Sequence, residues 1–334
     1  MILNNHRGFT LVEIIIASAI ASLLLLGAIQ MMSLQTSMQI KSTAKMGLEG
    51  DFLLLEDFFV RQIAAGGGNA LSPLNSYWVE DNCASRSPFP ACDGSDRLTI
   101  LTSRDRASCT VTASTAAGLG WDLTINSSGG CCLQNLDLSE NQGIVIKSSM
   151  YAQVALSNID EAACTLRASP GPASGNDSFI NAPPINWAGA VLSAVSVRTF
   201  YRKPSTNELH SFVYTDANSG EDRILADQIY DFQAALGYDF NPTDGLCTET
   251  EDGSGDEWLG NRAGTDEEIG SDDFLNASLA DLKMLSVGII SGYRDQGYSG
   301  GSLSILNGPA RDIDGWKLSA LKIKTVVRSQ GVFE

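Results

Sequence analysis

From Phe9 to Ile40 the chain carries a single charged residue, Glu13, and the stretch Ile14 to Met32 is almost wholly apolar or small. About 20 such residues span a bilayer as a helix, because a backbone in lipid must satisfy its polar groups internally. No proline occurs before Pro73. Past residue 33 the pattern changes: Leu48, Phe52, Leu55, Phe59 and Ile63 recur at three- and four-residue spacings, with Glu49, Glu56, Asp57 and Gln62 between them. Gly66-Gly67-Gly68 then stops the periodicity. The pattern predicts one helix over 9–65, roughly 85 Å long at 1.5 Å per residue. Its first part, 9–32, is apolar all round and suits a membrane span. Its second, 33–65, is one-sided and suits packing on a globular head. Gly47 and Gly50 weaken the helix locally and allow a bend.

Beyond residue 66 short apolar runs alternate with turns. Residues 98–101, 109–112 and 143–147 have the composition of strands. Ala194–Tyr201 and Leu209–Tyr214 flank Lys203-Pro204-Ser205-Thr206-Asn207, which reads as a hairpin turn. The run 224–236 leads into Gly237-Tyr238-Asp239, and apolar runs at 284–290 and 318–327 close the chain. Antiparallel strands packed on one helix define an α+β class with a single head over 66–334.

Charge narrows the function classes. The 334 residues include 39 acidic and 22 basic side chains, a formal net charge of −17. Such a surface repels phosphate backbones and disfavours nucleic-acid binding. The acids crowd into 239–273, where Arg262 is the only cation. That segment reads first as a solvated loop. Calcium is the alternative, with Asp239, Asn241 and Asp244 as candidate ligands, although Asp239 to Gly245 is one residue too long for an EF-hand opening. Catalytic chemistry finds little support. His6 and His210 are the only histidines, and His210 sits in a hairpin where a surface position is expected. Gly297-Tyr298-Ser299-Gly300-Gly301 fits a nucleophile elbow, yet no histidine follows Ser299. A non-enzymatic protein without a resident cofactor is expected.

Six of the 7 cysteines, Cys83, Cys92, Cys109, Cys131, Cys132 and Cys164, lie within 83–164. The clustering suits disulfides in an oxidising compartment; buried free thiols in a cytosolic protein are the alternative. Without a paired C-x-x-C arrangement, zinc is a poor reading. Cys83 and Cys92 suit a short bridge. A bond between the adjacent Cys131 and Cys132 would be strained, so each looks to Cys109 or Cys164, in an order the sequence leaves open. Cys247 is left over.

Glu13 is the anomaly in the apolar segment, since a carboxylate is costly at membrane depth and is usually paired there. A secretory signal would keep this region free of acid; Ala19-Ile20-Ala21 has the form of a small-residue cleavage site but lies inside the apolar run. Arg7 on the leader side predicts a cytoplasmic N-terminus. The segment Arg7-Gly8-Phe9-Thr10-Leu11-Val12-Glu13, followed by a long apolar run, resembles the class III signal of type IV pilins and type II secretion pseudopilins. The resemblance implies removal of residues 1–8 by a prepilin peptidase cutting between Gly8 and Phe9, and methylation of the Phe9 amine. Gly8, lacking a side chain, lets a protease approach its backbone. Glu13 falls about one helical turn from the new amine. There it can neutralise its own N-terminus or that of a neighbour, and a neighbour's would fix axial register. Many major pilins carry a proline in the middle of the first half of this helix; here Gly27 and Gln30 occupy that region.

Further along, Arg223-Ile224-Leu225-Ala226-Asp227-Gln228-Ile229, then Ala235-Leu236-Gly237-Tyr238-Asp239, the acidic stretch and a last strand ending Val327-Arg328-Ser329 are similar to the larger minor pilins of the W type. J-type pseudopilins are more remotely similar. The resemblance implies a pilin-like fold and a structural subunit that primes a type IV pilus or sits at its tip. Its partners would be other minor pilins, the major pilin, the peptidase and an inner-membrane assembly platform. It would reside in the bacterial inner membrane as a precursor, then in the periplasm or on the surface. A J-type pseudopilin, or a displayed adhesive or calcium-binding module, are the alternative readings.

Overall fold

Thr10 opens the helix by a reciprocal cap. Its Oγ1 accepts from the Glu13 amide at 3.3 Å, and its own amide donates to Glu13 Oε2 at 2.9 Å, which satisfies two of the donors that a helix start leaves open. Helix α1 then runs unbroken over Leu11–Ala65. The computed structural model describes residues 10–66, 76–80, 83, 85, 88–103, 107–118, 120–147, 150–170, 186–215, 219–239, 256–259, 282–295, 298, 300–306 and 308–327. The chain divides into two units, Met1–Gly50 and Asp51–Glu334.

In the first unit the apolar side chains of α1 face outward all round: Leu11 is 75% exposed and Leu24 71%. The hydroxyls on this surface bond to their own helix. Ser18 Oγ donates to the Ile15 carbonyl at 2.9 Å, Ser22 Oγ to Ser18 at 2.8 Å and Thr36 Oγ1 to Met32 at 2.8 Å. No orphaned hydroxyl therefore spoils the apolar surface at those positions.

In the second unit the last turns of α1 become one-sided. Leu55, Phe59 and Ile63 are buried, Phe52 and Phe58 are half-buried, and Glu56 and Asp57 stay exposed. The helix stops at Ala65 for a local reason. Tyr77 lies so close to Gly66 that a Cβ there would come within 2.4 Å of its hydroxyl, and that hydroxyl takes the Ile63 carbonyl at 2.5 Å.

Strand β8 (Val191–Lys203) organises the head. Its C-terminal part pairs on one side with β2 (Arg97–Ser103), which carries β1 (Tyr77–Glu80). On the other side it pairs with β9 (Glu208–Tyr214), which carries β10 (Gly220–Ala226). The hairpin turns through 204–207, where Asn207 takes a positive φ of 55°. The N-terminal end of β8 does something else. It pairs with β3 (Cys109–Ala117) and also with β5 (Gln142–Lys147). From β3 the ladder continues through β4 (Gly120–Ile125), β7 (Thr165–Pro170) and β6 (Met150–Asp160) back to β5. Six strand segments thus close into an antiparallel ring with no free edge among them. Its interior holds Val111, Leu123, Val145, Val154, Leu166, Leu192 and the fully buried Trp187.

A second sheet follows in the order β12 (Asp256–Leu259), β11 (Ile229–Asp239), β13 (Leu282–Arg294), β14 (Trp316–Val326). The run 224–236 is therefore two strands, divided at Asp227-Gln228, where Gln228 takes φ 57°. The acidic stretch 239–273 is not wholly loop either. Asp256–Leu259 pairs with 236–239 of β11, whose other edge is taken by β13, so the backbone groups of β11 are satisfied on both sides. One core joins the helix to both sheets: Leu55, Phe59 and Ile63 meet Leu98, Ile100 and Phe200 on one side and Phe232, Leu285 and Ile289 on the other. The architecture is α+β and pilin-like, one long N-terminal helix with antiparallel sheets. A buried polar tie holds the segment before β14. Asp231 Oδ1 accepts from Ser95 Oγ at 2.7 Å and pairs with Arg311 at 3.2 Å. Gly308 passes so near that a Cβ would stand 2.4 Å from Asp231 Oδ2.

Candidate assembly site

The site singled out by the sequence is the start of α1. Gly8 and Phe9 lie outside the described residues. Glu13 is held by the cap, and a second bond joins Thr10 Oγ1 to the same Oε2 at 3.0 Å. Both Thr10 donors thus end on Oε2. Thr10 is the residue that sequence reasoning missed. Its signal was present as Thr-x-x-Glu ahead of an apolar run. Behind Glu13, α1 is the one described helix long and apolar enough to cross a membrane, and its apolar stretch is not buried. Apolar side chains exposed over so long a surface need lipid or other helices to cover them.

The head is stapled three times. Cys83 bonds Cys92, Cys109 bonds Cys132 and Cys131 bonds Cys164, with Cα separations of 5.1, 5.7 and 5.5 Å. The neighbours Cys131 and Cys132 thus fix one 3-10 turn (Cys132–Asn135) to two places on the ring, the start of β3 and the turn before β7. In the first loop the Cys92 amide also donates to the Cys83 carbonyl at 2.9 Å. Beside that loop the buried Arg97 pairs with Glu80 and lies 4.7 Å from the Phe89 ring centre. Cys247 lies outside the described residues.

His210 is not a surface residue, contrary to its hairpin position; it is 4% exposed. Strand β10 pairs alongside β9 and covers it. Nδ1 meets Asp222 Oδ1 at 2.9 Å and Nε2 meets Glu208 Oε2 at 3.1 Å. Tyr201 stacks on the imidazole at 5.3 Å, and its hydroxyl donates to Asp222 Oδ2 at 3.0 Å. Burial, then the Asp222 carboxylate, pushes the Tyr201 phenol up. The Thr206 hydroxyl, then His210, holds the Glu208 carboxyl below its ordinary range. The hydroxyls of Tyr201 and Thr206 both donate to carboxylates, Thr206 to Glu208 Oε2 at 2.5 Å. The cluster is a hydrogen-bonded clamp between strands rather than a nucleophile–base pair.

Gly297 and Ser299 of the candidate elbow lie outside the described residues, as do Asn241 and Asp244. Of Asp239 only the backbone, at the end of β11, is described. Among the described residues no three His, Cys, Asp or Glu side chains converge as metal ligands.

A long apolar helix at the N-terminus, followed by antiparallel sheets, is consistent with a type IV pilin-like or pseudopilin protein. Residues 3–29 match the prokaryotic N-terminal methylation motif. No curated protein and no solved structure matches the chain. The motif belongs to a structural family and implies processing by prepilin peptidase and entry into a pilus or secretion assembly. With the apolar helix it supports membrane anchoring of the precursor.

Proposed function

We propose that this chain is a minor pilin of the W type, which primes assembly of a type IV pilus or occupies its tip. The observation that carries this reading is the methylation motif at 3–29 running into a helix whose first 30 described residues hold one charge, Glu13. In this reading prepilin peptidase cuts after Gly8 and methylates the Phe9 amine. Glu13, with Oε2 committed to Thr10, offers Oε1 to the amine of a neighbouring subunit. A carboxylate in an apolar bundle is strongly disfavoured without a cation, so the pair selects one axial register. Helix packing supplies affinity, and the head faces outward. Its partners are other minor pilins, the major pilin and the inner-membrane platform. The large head supports a terminal rather than a repeating position.

Mass spectrometry of sheared surface filaments tests this. The expected result is a chain beginning at methylated Phe9, present far below the major subunit. Its confinement to an inner-membrane secretion complex would instead assign it to the pseudopilins, which share the motif.

A further inference from the structure

Strand β10 is an edge: among the described residues it pairs with β9 alone. Beside it the last turns of α1 leave an open groove of about 550 Å³. Its floor is apolar, built from Leu54, Leu55 and Phe58 on the helix and Ile224 and Leu225 on the strand. Leu54 is 72% and Ile224 60% exposed, so the floor is uncovered in the isolated chain. Three carboxylates, Asp51, Glu208 and Asp227, line the same groove, and among the described residues no Lys or Arg does. Glu208 is held charged by the Thr206 hydroxyl and by His210. The clamp from His210 to Asp222 fixes β10 as a preformed wall.

We propose that this groove docks a partner subunit through a segment in which an aliphatic or aromatic side chain is flanked by Lys or Arg. The apolar side chain covers Leu54 and Ile224; its basic neighbours meet the three carboxylates. A second copy of this chain is a poor occupant, since its net charge of −17 opposes the carboxylate rim. The same rim repels anionic lipid. The backbone of β10 is a lesser attraction, because Glu221, Asp222 and Arg223 and the irregularity before Ala226 guard that edge. The source of the partner, a neighbouring subunit, rests on the assembly reading above; the chemistry of the groove does not.

The test uses the full chain in its own cells, with a photo-cross-linking amino acid at Leu54 or Ile224. The expected result is one heterologous adduct, mapped by peptide sequencing to a residue next to Lys or Arg. Its yield is expected to fall about fivefold in Asp51→Lys/Asp227→Lys, less in Asp51→Asn/Asp227→Asn, and not at all in Glu161→Lys/Asp314→Lys, which carries the same net charge. Intact disulfides in non-reducing peptide maps check that each variant folds. A yield no higher than from a probe at the exposed Thr112, a homodimer or lipid adduct, or equal loss in both lysine variants would overturn the proposal. Incorporation into sheared filaments is read in parallel. Normal incorporation without the adduct defeats the groove alone, whereas a chain that never reaches filaments defeats the assembly reading.

Discussion

The Tyr77 hydroxyl donates to the Ile63 carbonyl at 2.5 Å, across the end of α1. A helix end leaves its last carbonyls without internal partners, and buried ones must find them elsewhere. Tyr77→Phe removes that donor without changing the packing of the ring. The Gly66 amide still donates to the same carbonyl at 3.1 Å, so urea unfolding in micelles is expected to show a loss of about 0.5–1.5 kcal/mol, the net worth of one hydrogen bond.

Phe59 has no exposed surface and meets Phe200 at 5.0 Å and Phe232 at 5.9 Å between ring centres. It touches both sheets. Phe59→Ala is expected to cost about 3–5 kcal/mol in the same assay. Leu53→Ala, at an apolar position 67% exposed on the same helix, is expected to cost under about 0.5 kcal/mol.

Cys131 and Cys132 hold two different parts of the ring. Non-reducing peptide mapping is expected to recover Cys109 with Cys132 and Cys131 with Cys164. Replacing either pair by serine is expected to cost about 2–4 kcal/mol. Recovery of Cys109 with Cys131 would contradict the arrangement.

Glu208 gives the head an acid-sensitive contact. Its folded pKa is lowered by Thr206 and His210, so the stability it lends is complete above the ordinary carboxylate pKa and is lost as pH falls through the lower folded value. Thermal midpoints measured against pH are expected to fall on the acid side in the parent. Glu208→Gln is expected to flatten part of that slope.

Processing offers the most direct check on the N-terminus. Gly8→Leu is expected to leave the precursor uncut, seen as an intact mass that retains residues 1–8. Glu13→Leu is expected to permit cleavage yet reduce entry into sheared filaments. Thr10→Val, which removes the hydroxyl but keeps the amide bond to Oε2, is expected to have the smaller effect.

The helix was legible because its information is local. Leu55, Phe59 and Ile63 recur at helical spacing, and all three are buried. The strand runs at 98–101, 109–112 and 143–147 were legible for the same reason. Their arrangement was not. Nothing in the run Ala194–Tyr201 shows that β8 begins three residues earlier and there changes partners from β2 and β9 to β3 and β5. That choice depends on pairings between residues far apart in the chain, such as Thr110 with Val191 and Cys109 with Leu192. His210 was misplaced because its burial comes from β10, a strand whose residues Glu221, Asp222 and Arg223 look like a solvated turn. Thr10 was overlooked although Thr-x-x-Glu was in plain view, since attention went to the charge of Glu13 and not to the backbone donors beside it.

A single continuous strand, β8, belongs both to the ring and to the sheet against the helix. Mechanical load entering at Phe59 reaches Phe200 directly and travels along one backbone to Leu192, inside the stapled ring. The two halves of the head therefore share one backbone, and force on the part around Phe200 is passed to the part anchored by Cys109–Cys132 and Cys131–Cys164.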